Sequence, residues 1–471
     1  MTTSAFTFII PGGLSHLESL APCLGEGVCG ILIHEKIAVE KVNLPKCPGT
    51  PIYTLSSLVE LTDGLQAADR ELYEKCLVAL LSDPRAHYLA TRSHLDSAFN
   101  NSIAIEKVLV NSIRIIRETK PLRLVSSSTP HSVEAWVFAK TFEMLGLPAY
   151  ILERTPINDR AWIYRGLDSQ EVVGPSTDTS VRELTESSQR LIREQRNSKP
   201  GVRDQNGFFL SRMDLSSIGG ANTHKWWSYR RELRLLFSGK LPSLPLRILS
   251  VWFKRTLLRS YQDVAIRELP KGPFIVFFMH YQPERSSLPE GLFHVQQWLA
   301  IRLLAWSLPS GWTLLVREHP TTWLLPLDIS VRTRNLYREI ALLRNTRVCS
   351  MDIDTFELID HCSAAATLTG SVGFQAILRS KPVIVFGLPA YKDHPACLSV
   401  SGAGDLDQAL EMIREGKLAP HLTDAAIARY LAWIERNSLS ADPGEENWLE
   451  SRLKNFAEIY RRLFSGEIEL H

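Results

Sequence analysis

The feature that most constrains the fold of this chain is an alternation of short apolar segments with helical segments in its second half. The apolar segments favour β-structure, whereas the segments that separate them carry apolar residues at helical spacing. The predicted strands are residues 274–279, 312–316, 364–368 and 383–386, and the predicted helices are residues 295–307, 355–362 and 373–379. Because strands that alternate with helices form parallel sheets, this half is predicted to be an α/β domain.

The first half shows the same alternation. Residues 6–10 are predicted to form a strand that runs into Pro11-Gly12-Gly13, and an amphipathic segment follows from Leu14. Further elements are a helix at 103–119, a strand at 122–126, a helix at 131–145 and a strand at 149–152. A second parallel sheet is therefore predicted.

The length of 471 residues exceeds that of most single domains, so two domains with additions are expected. We place the first domain at 1–265, with a helical insertion at about 168–265 where the sequence becomes polar, and the second at 266–425. Helices at 426–471 are predicted to pack back on the domain junction.

The overall charge excludes a broad basic surface for nucleic acid. The chain has 53 basic and 51 acidic residues, which leaves a formal charge of +2. Its seven cysteines lack paired C-x-x-C spacing, which favours a reducing cytoplasm. The amino terminus has no basic region of a signal peptide, and no run of about eighteen apolar residues is present, so no membrane span is predicted.

The segment from Thr369 to Gln375 follows a predicted buried strand and opens a helix. Gly370 and Gly373 allow close backbone approach, and Ser371 adds a hydroxyl beside the N–H groups of the helix start. Such a helix start binds anions through its N–H groups and its partial positive charge. The alternative is a plain strand-to-helix turn.

The segment Arg317-Glu318-His319-Pro320 directly follows another predicted strand. A residue before proline is held in an extended backbone, so the direction of the His319 ring is restricted. His319 is a candidate to bind a phosphate or a ribose of a nucleotide, and Glu318 and Pro320 beside it are further candidate nucleotide-binding residues. The alternative is a structural histidine at a strand end.

A third polar loop, from Met279 to Ser287, combines acidic, basic, amide and hydroxyl side chains. Glu284 is the candidate general base or nucleophile of this loop, because a carboxylate can take up a proton or attack an electrophilic carbon. The neighbouring candidates are His280 and Gln282 to orient the substrate, Arg285 to supply positive charge, and Ser286. The alternative is an exposed loop with a Glu284–Arg285 pair.

In the first half, His131 follows a Ser-Ser-Ser-Thr-Pro segment between strand and helix, and Glu153 and Arg154 follow the next strand. Arg160 comes soon after. These residues have the position expected of catalytic or acceptor-binding groups, although polar residues at strand ends are common in any α/β protein.

Three segments of the second half, HYQPERSSLPEG, REHP and TGSVGFQAILRSKPVIVFG, together resemble the bacterial capsule-polysaccharide biosynthesis proteins, which include Kdo transferases. The resemblance covers about residues 274–387 and, more loosely, the STPH and LERTP segments. It implies a GT-B-like α/β fold, in which two Rossmann-like domains face a cleft and a C-terminal helix crosses back.

The resemblance also implies roles for individual residues. His319 and Pro320 correspond to a His-Pro pair that contacts a CMP-type nucleotide, and Thr369, Gly370 and Ser371 correspond to the phosphate-side loop. Glu284 then stands at the position of the catalytic carboxylate. Two departures are Gln375, where family members often have Glu, and the segment Leu-Pro-Ala-Tyr at 388–391.

The function expected from the resemblance is transfer of a sugar such as Kdo, or a related ulosonic acid, from a CMP-activated donor to a surface polysaccharide or glycolipid. The nucleotide sugar is a co-substrate, and neither a cofactor nor a metal is expected. Asp352-Ile353-Asp354 precedes a helix and is interpreted as an N-cap rather than a metal-binding D-x-D motif. Alternatives are a GT-B transferase that uses a UDP-linked or other donor, or a non-catalytic glycan-binding member of a capsule assembly complex.

Two basic segments with aromatic residues, at about 226–234 and 247–259, suggest peripheral contact with anionic membrane at the inner face. The alternative is that both are helices packed on a domain.

Overall fold

The computed structural model describes residues 7–10, 28–33, 50–60, 65–94, 98–157, 160–173, 184–197, 243–282, 287–320, 322 and 332–440. The predicted segment after Leu14, the 226–234 segment and the helices expected at 441–471 lie outside these residues. So do Glu284, Arg285 and Ser286.

The described elements follow in chain order. The elements up to residue 197 are β1 (Thr7–Ile10), β2 (Val28–Ile33), β3 (Ile52–Thr54), α1 (Arg70–Ser82), α2 (Pro84–His94), α3 (Ala98–Thr119), β4 (Arg123–Ser126), α4 (Val133–Met144), β5 (Ala149–Arg154), β6 (Arg160–Arg165), β7 (Glu171–Val172) and α5 (Glu186–Asn197). The later elements are α6 (Ser243–Val264), β8 (Ala265–Ile266), β9 (Phe274–Phe278), α7 (Gln297–Ser307), β10 (Thr313–Arg317), α8 (Leu336–Ala341), β11 (Thr346–Cys349), α9 (Thr355–His361), β12 (Ala364–Thr367), α10 (Ser371–Leu378), β13 (Val383–Val385), β14 (Cys397–Ser399), α11 (Ala403–Arg414), α12 (Asp424–Asn437) and β15 (Leu439–Ser440).

The chain divides into two compact units. The first comprises Met1–Ser188, Leu288–Val295 and Ala428–His471, and the second comprises Gln189–Ser287 and Gln296–Ile427. Each unit contains one sheet, so the predicted α/β class with two largely parallel sheets is confirmed. The cleft of a GT-B arrangement stays a prediction.

The sheet of the first unit has the order β15-β6-β5-β4-β1-β2-β3, and β7 pairs with β6. The pairs from β5 to β3 are parallel, whereas β6 runs antiparallel to β5, β7 and β15. All four residues of β1 are buried, as expected of a strand covered on both faces. A Cβ at Gly30 of β2 would lie 2.3 Å from the Phe8 ring, so glycine lets that ring lie flat on the neighbouring strand.

The sheet of the second unit has the order β14-β13-β12-β9-β10-β11-β8, and every pair is parallel. Its central strand β9 is buried along its whole length. The Asp354 carboxylate accepts bonds from the N–H groups of Phe356 and Glu357, which confirms the N-cap predicted for α9. The strands predicted from the sequence are confirmed to within two residues at each end.

The units differ from the predicted domain limits at both ends of the second domain. Leu257, Leu258 and Tyr261 of α6 pack into the core of the second unit, although the sequence placed them in an insertion of the first domain. The Tyr261 hydroxyl also donates to the Cys349 carbonyl at 2.7 Å. At the other end, β15 extends the first sheet by pairing with β6, so the chain returns to its first unit. Among the described residues, no helix has the length and apolar character needed to cross a bilayer.

Candidate active site

Three polar loops of the second unit leave neighbouring strands of one parallel sheet. His280 follows β9, Glu318 follows β10 and Thr369 follows β12, and β9 lies between the other two strands. Because the carboxyl ends of parallel strands lie at the same edge, these loops meet there. The structure therefore brings together the three segments that the sequence singled out.

The buried His280 ring links the loops after β9 and β12. The Thr369 N–H group donates to His280 Nε2 at 3.1 Å. The Thr367 hydroxyl lies 3.2 Å from the same nitrogen and donates to the Phe278 carbonyl at 3.1 Å. A Cβ at Gly370 would lie 2.8 Å from Thr367 Oγ1 and 3.4 Å from His280 Nε2. Glycine at 370 is therefore what allows the ring and the loop to approach this closely.

The loop after β12 is fixed from its other side by Tyr391. Burial raises the pKa of the Tyr391 hydroxyl well above its usual value, so the hydroxyl stays protonated and donates to the Gly370 carbonyl at 2.6 Å. A Cβ at Gly373 would lie only 2.0 Å from this hydroxyl. Both glycines of the motif are thus required by close contacts.

The N-terminus of α10 offers free backbone donors. Its N-cap is Gly370, which has no side chain to accept from the first turn. In the described residues, the N–H groups of Ser371 and Val372 have no acceptor, as is usual for the first positions of a helix without a side-chain cap. Together with the partial positive charge of the helix, they form a site for an anion.

Glu318 is the centre of a buried ionic cluster at the end of β10. Its carboxylate accepts from Tyr337 at 2.6 Å, from Arg332 Nε at 3.2 Å, from Thr322 at 3.1 Å and from the His319 N–H group at 2.7 Å. Burial, together with Glu318, raises the pKa of the Tyr337 hydroxyl, which stays a donor. Burial alone would lower the pKa of Arg332, but Glu318 and Tyr337 outweigh it and raise that pKa.

This cluster gives Glu318 a structural role. Both carboxylate oxygens accept hydrogen bonds inside the protein, and the side chain is fully buried. Glu318 therefore supports the loop that carries His319, and its expected contact with a nucleotide stays a prediction.

The Arg332 guanidinium also fixes the start of the loop after β9. Arg332 donates to the His280 carbonyl at 2.7 Å and to Gln282 Oε1 at 2.9 Å. The buried Gln297 side chain accepts from the His280 N–H group at 2.6 Å and donates to the His280 carbonyl at 3.1 Å and to Gln282 Oε1 at 2.9 Å. The His280 backbone is thus held on both its polar groups, and Gln282 Oε1 is occupied by the protein.

The remaining predicted residues of this unit differ in exposure. His319 and Pro320 are half-buried, whereas Ser371 is exposed at the helix start. They retain the accessibility that a ligand contact requires.

The sequence does not predict a role at this site for Gln297, Arg332, Tyr337 or Tyr391. One of them carries a recognisable signal, because Gln297 lies on the same helix face as the buried Ala300, Ile301 and Leu304. A polar residue on an apolar face needs a partner inside the protein.

The first unit contains the other predicted residues. The Glu153 carboxylate accepts from the N–H group and the hydroxyl of Thr129 at 3.3 and 3.1 Å, and His131 Nδ1 lies 3.2 Å from the Thr129 carbonyl. The structure therefore joins the two loops that the sequence singled out there. His131 and Arg154 are exposed, and their catalytic and substrate-binding roles stay predictions.

Arg160 has a structural role. Its guanidinium donates to the hydroxyl and the carbonyl of Ser438, each at 2.6 Å, and to the Glu435 carbonyl. These bonds fasten the end of α12 beside the pairing of β15 with β6. The expected substrate contact of Arg160 stays a prediction.

The comparison with protein families concerns the part of the chain that contains this site. Residues 304–402 match the model of the capsule polysaccharide biosynthesis protein family. This stretch includes the loops after β10 and β12, and the resemblance predicted from the sequence is confirmed there.

Solved structures give more distant likenesses. Thermosulfurimonas dismutans KpsC, a beta Kdo 2,7 transferase, is 9% identical, with 73% of this chain and 88% of that chain covered and a TM-score of 0.29. S. aureus MnaA, solved with UDP, is 10% identical over 92% of this chain and 94% of that chain, with a TM-score of 0.27. Methanocaldococcus jannaschii UDP-GlcNAc 2-epimerase is 13% identical over 92% of this chain and 99% of that chain, with a TM-score of 0.23. No curated protein matches the chain.

Proposed function

We propose that this protein is a metal-independent glycosyltransferase of capsule or surface glycan synthesis. It transfers a sugar, such as Kdo or a related ulosonic acid, from a CMP-activated donor to a polysaccharide or glycolipid acceptor. The observation that carries the proposal is that His280 and Arg332 link the three loops, two of which, with the N-terminus of α10, lie inside the stretch that matches the capsule polysaccharide biosynthesis family.

The α10 N-terminus is suited to hold the phosphate of the nucleotide. The N–H groups of Ser371 and Val372 are directed out of the first turn, and the helix end carries partial positive charge. Donors that are already in place stabilise charge that develops on a leaving phosphate, because they need no rearrangement during the reaction. His319, on the neighbouring loop, is the proposed nucleotide contact.

Glu284 is the proposed catalytic carboxylate, as base or as nucleophile. It lies outside the described residues, two positions after Gln282, whose side chain is anchored by Arg332 and Gln297. The proposed role of Gln282 is correspondingly to anchor the loop and to border the substrate, with Arg285 and Ser286 beyond it.

The direct experiment is mass spectrometry of products formed from a panel of CMP-linked and UDP-linked sugars. The panel contains both nucleotides because backbone donors at a helix start bind either phosphate. Transfer from a CMP-linked ulosonic acid supports the proposal, transfer from a UDP-linked sugar corrects the donor, and no transfer with any acceptor tested contradicts the enzyme assignment.

Glu284→Gln tests the chemistry separately from binding. The variant should lose transfer while its CMP affinity stays within about twofold, because the amide keeps the size of the side chain but cannot act as a base or a nucleophile. Glu339→Gln, on the exposed side of α8, is the matched control and should keep full turnover. A Glu284→Gln variant with wild-type turnover removes Glu284 from the mechanism.

A cytoplasmic location with contact to an anionic membrane remains a proposal. In the 247–259 segment, Leu257 and Leu258 are buried in the core of the second unit, as the packed-helix alternative expects. Liposome co-sedimentation tests the membrane contact, and a protein that stays in the supernatant with anionic vesicles refutes it.

A further inference from the structure

Within the part of the chain that the structure describes, the His280 ring is bonded through only one of its nitrogens. The Thr369 N–H group donates to Nε2 at 3.1 Å, and an amide group can only donate. Nε2 must therefore present its lone pair. The Thr367 hydroxyl does not change this assignment, because its own hydrogen is directed to the Phe278 carbonyl.

The surroundings of the ring favour the neutral form. His280 is only 4% exposed, and burial, with His319 and Arg332 nearby, lowers its pKa to about 3. A neutral imidazole with a lone pair at Nε2 carries its single hydrogen on Nδ1. Among the described residues, Nδ1 has no hydrogen-bond partner.

The protein fixes this ring from the backbone side as well. Gln297 bonds both the N–H group and the carbonyl of His280, and Arg332 bonds the carbonyl. Gln297, Arg332 and the loop at Thr369 all hold His280, and together they restrict the direction of its ring. The Nδ1–H group belongs to a ring whose Nε2 contacts the loop that opens α10, and it is therefore a donor whose direction the protein fixes.

We propose that His280 donates its Nδ1–H group to a phosphate oxygen of the nucleotide, as a neutral hydrogen-bond donor and not as a general base. The proposal rests on the proposed function for the identity of the ligand. The tautomer itself rests on the Thr369 contact alone. Gln297 and Arg332 act through His280 and are positioning residues.

Two substitutions separate the two ends of the ring. In His280→Asn the amide branches at Cγ, so its NH₂ group can take the place of Nδ1–H while the acceptor for Thr369 is lost. In His280→Gln the amide reaches the position of Nε2, so its oxygen can accept from Thr369 while the Nδ1 donor is lost. The two variants thus test separately the donor to the ligand, which His280→Asn keeps, and the acceptor for Thr369, which His280→Gln keeps.

We expect calorimetry with CMP to show a loss of about threefold or less for His280→Asn and of about tenfold or more for His280→Gln, since a hydrogen bond to a charged group is worth more than one between neutral groups. Equal losses, or the larger loss in the Asn variant, overturn the proposal. Circular dichroism of both variants verifies that they fold, and a variant that does not fold is replaced by the nuclear magnetic resonance test that follows.

Nuclear magnetic resonance of wild-type protein labelled with ¹⁵N-histidine measures the tautomer without any nucleotide. The His280 signals are those absent from the spectrum of a His280 variant. A hydrogen on Nδ1 and a lone pair on Nε2 at pH 7 support the proposal, whereas the opposite tautomer or an imidazolium overturns it. If wild-type protein binds no CMP, the proposed function fails while the spectrum still decides the tautomer.

Discussion

The buried pair of Arg332 and Glu318 should be one of the most sensitive points of the second unit. Their side chains are 2% and 0% exposed, and Arg332 also bonds the His280 carbonyl and Gln282. Arg332→Met would leave the Glu318 carboxylate without its cation. Removing one partner of a buried pair costs about 3–5 kcal/mol, because the remaining charge is uncompensated.

The structure places the expected loss near the lower end of that range, at about 3 kcal/mol. The carboxylate of Glu318 would keep the Tyr337 hydroxyl, the Thr322 hydroxyl and the His319 N–H group as donors. The double change Glu318→Gln with Arg332→Met removes the unpaired charge and should restore about 1–2 kcal/mol, since a neutral amide costs less to bury than a charge.

Urea unfolding followed by tryptophan fluorescence measures these differences. For a slope of about 1–3 kcal/mol per molar urea, Arg332→Met should lower a transition midpoint by about 1–3 M. Arg70→Met is the matched control, because the Arg70–Glu74 pair is 83% and 60% exposed and should contribute under about 1 kcal/mol. The reasoning is refuted if Arg332→Met shifts no transition by more than the control, or if the double change is less stable than Arg332→Met alone.

Three further predictions follow from single sites. Gly373→Ala should cost about 1–3 kcal/mol in urea unfolding, because its Cβ would lie 2.0 Å from the buried Tyr391 hydroxyl, and an unchanged midpoint contradicts this. Burial alone would raise the pKa of Asp168, but Arg85 and Lys140 lower it to about 2. The stability that the Asp168 carboxylate contributes is therefore complete above the ordinary carboxyl pKa and is lost as the pH falls through about 2. Asp168→Asn should therefore cost about 1 kcal/mol at pH 7 after allowance for its 40% exposed side chain, and nearly nothing near pH 2, so an equal cost at both pH values is the opposing result. His319→Ala should weaken CMP binding about tenfold in calorimetry, and unchanged affinity would remove His319 from the nucleotide site.

Each of these changes has a matched control. Gly404→Ala, in helix α11 where a Cβ would meet nothing within 4 Å, should stabilise the protein by about 0.5–1 kcal/mol. Asp407→Asn, in the exposed part of the same helix, is the control for Asp168→Asn. It should cause no loss of stability that differs between pH 7 and pH 2. His361→Ala, on the exposed end of α9, should leave CMP affinity unchanged.

The elements that the sequence could predict are those whose apolar pattern is local. Strands β9 and β12 are continuous buried runs, so their composition identifies them without knowledge of their neighbours. The short strands β8 and β15 could not be found in this way. Each has only two residues, and these form a strand only because β8 pairs with β11 and β15 pairs with β6.

The candidate site divides in the same manner. His280, His319 and Gly370 stand in loops directly after strands, and the common edge of a parallel sheet brings them together. Arg332 and Tyr391 come from separate segments without a local motif, and they reach the site through tertiary contacts. The same contacts explain why Glu318 supports its loop, since the sequence could not show that its carboxylate is already occupied.

The most direct test of the account is a crystal structure of the protein with CMP. We expect the phosphate at hydrogen-bonding distance from the N–H groups of Ser371 and Val372 and from His280 Nδ1, with His319 against the nucleotide. A nucleotide bound at a place that includes none of these groups would contradict it.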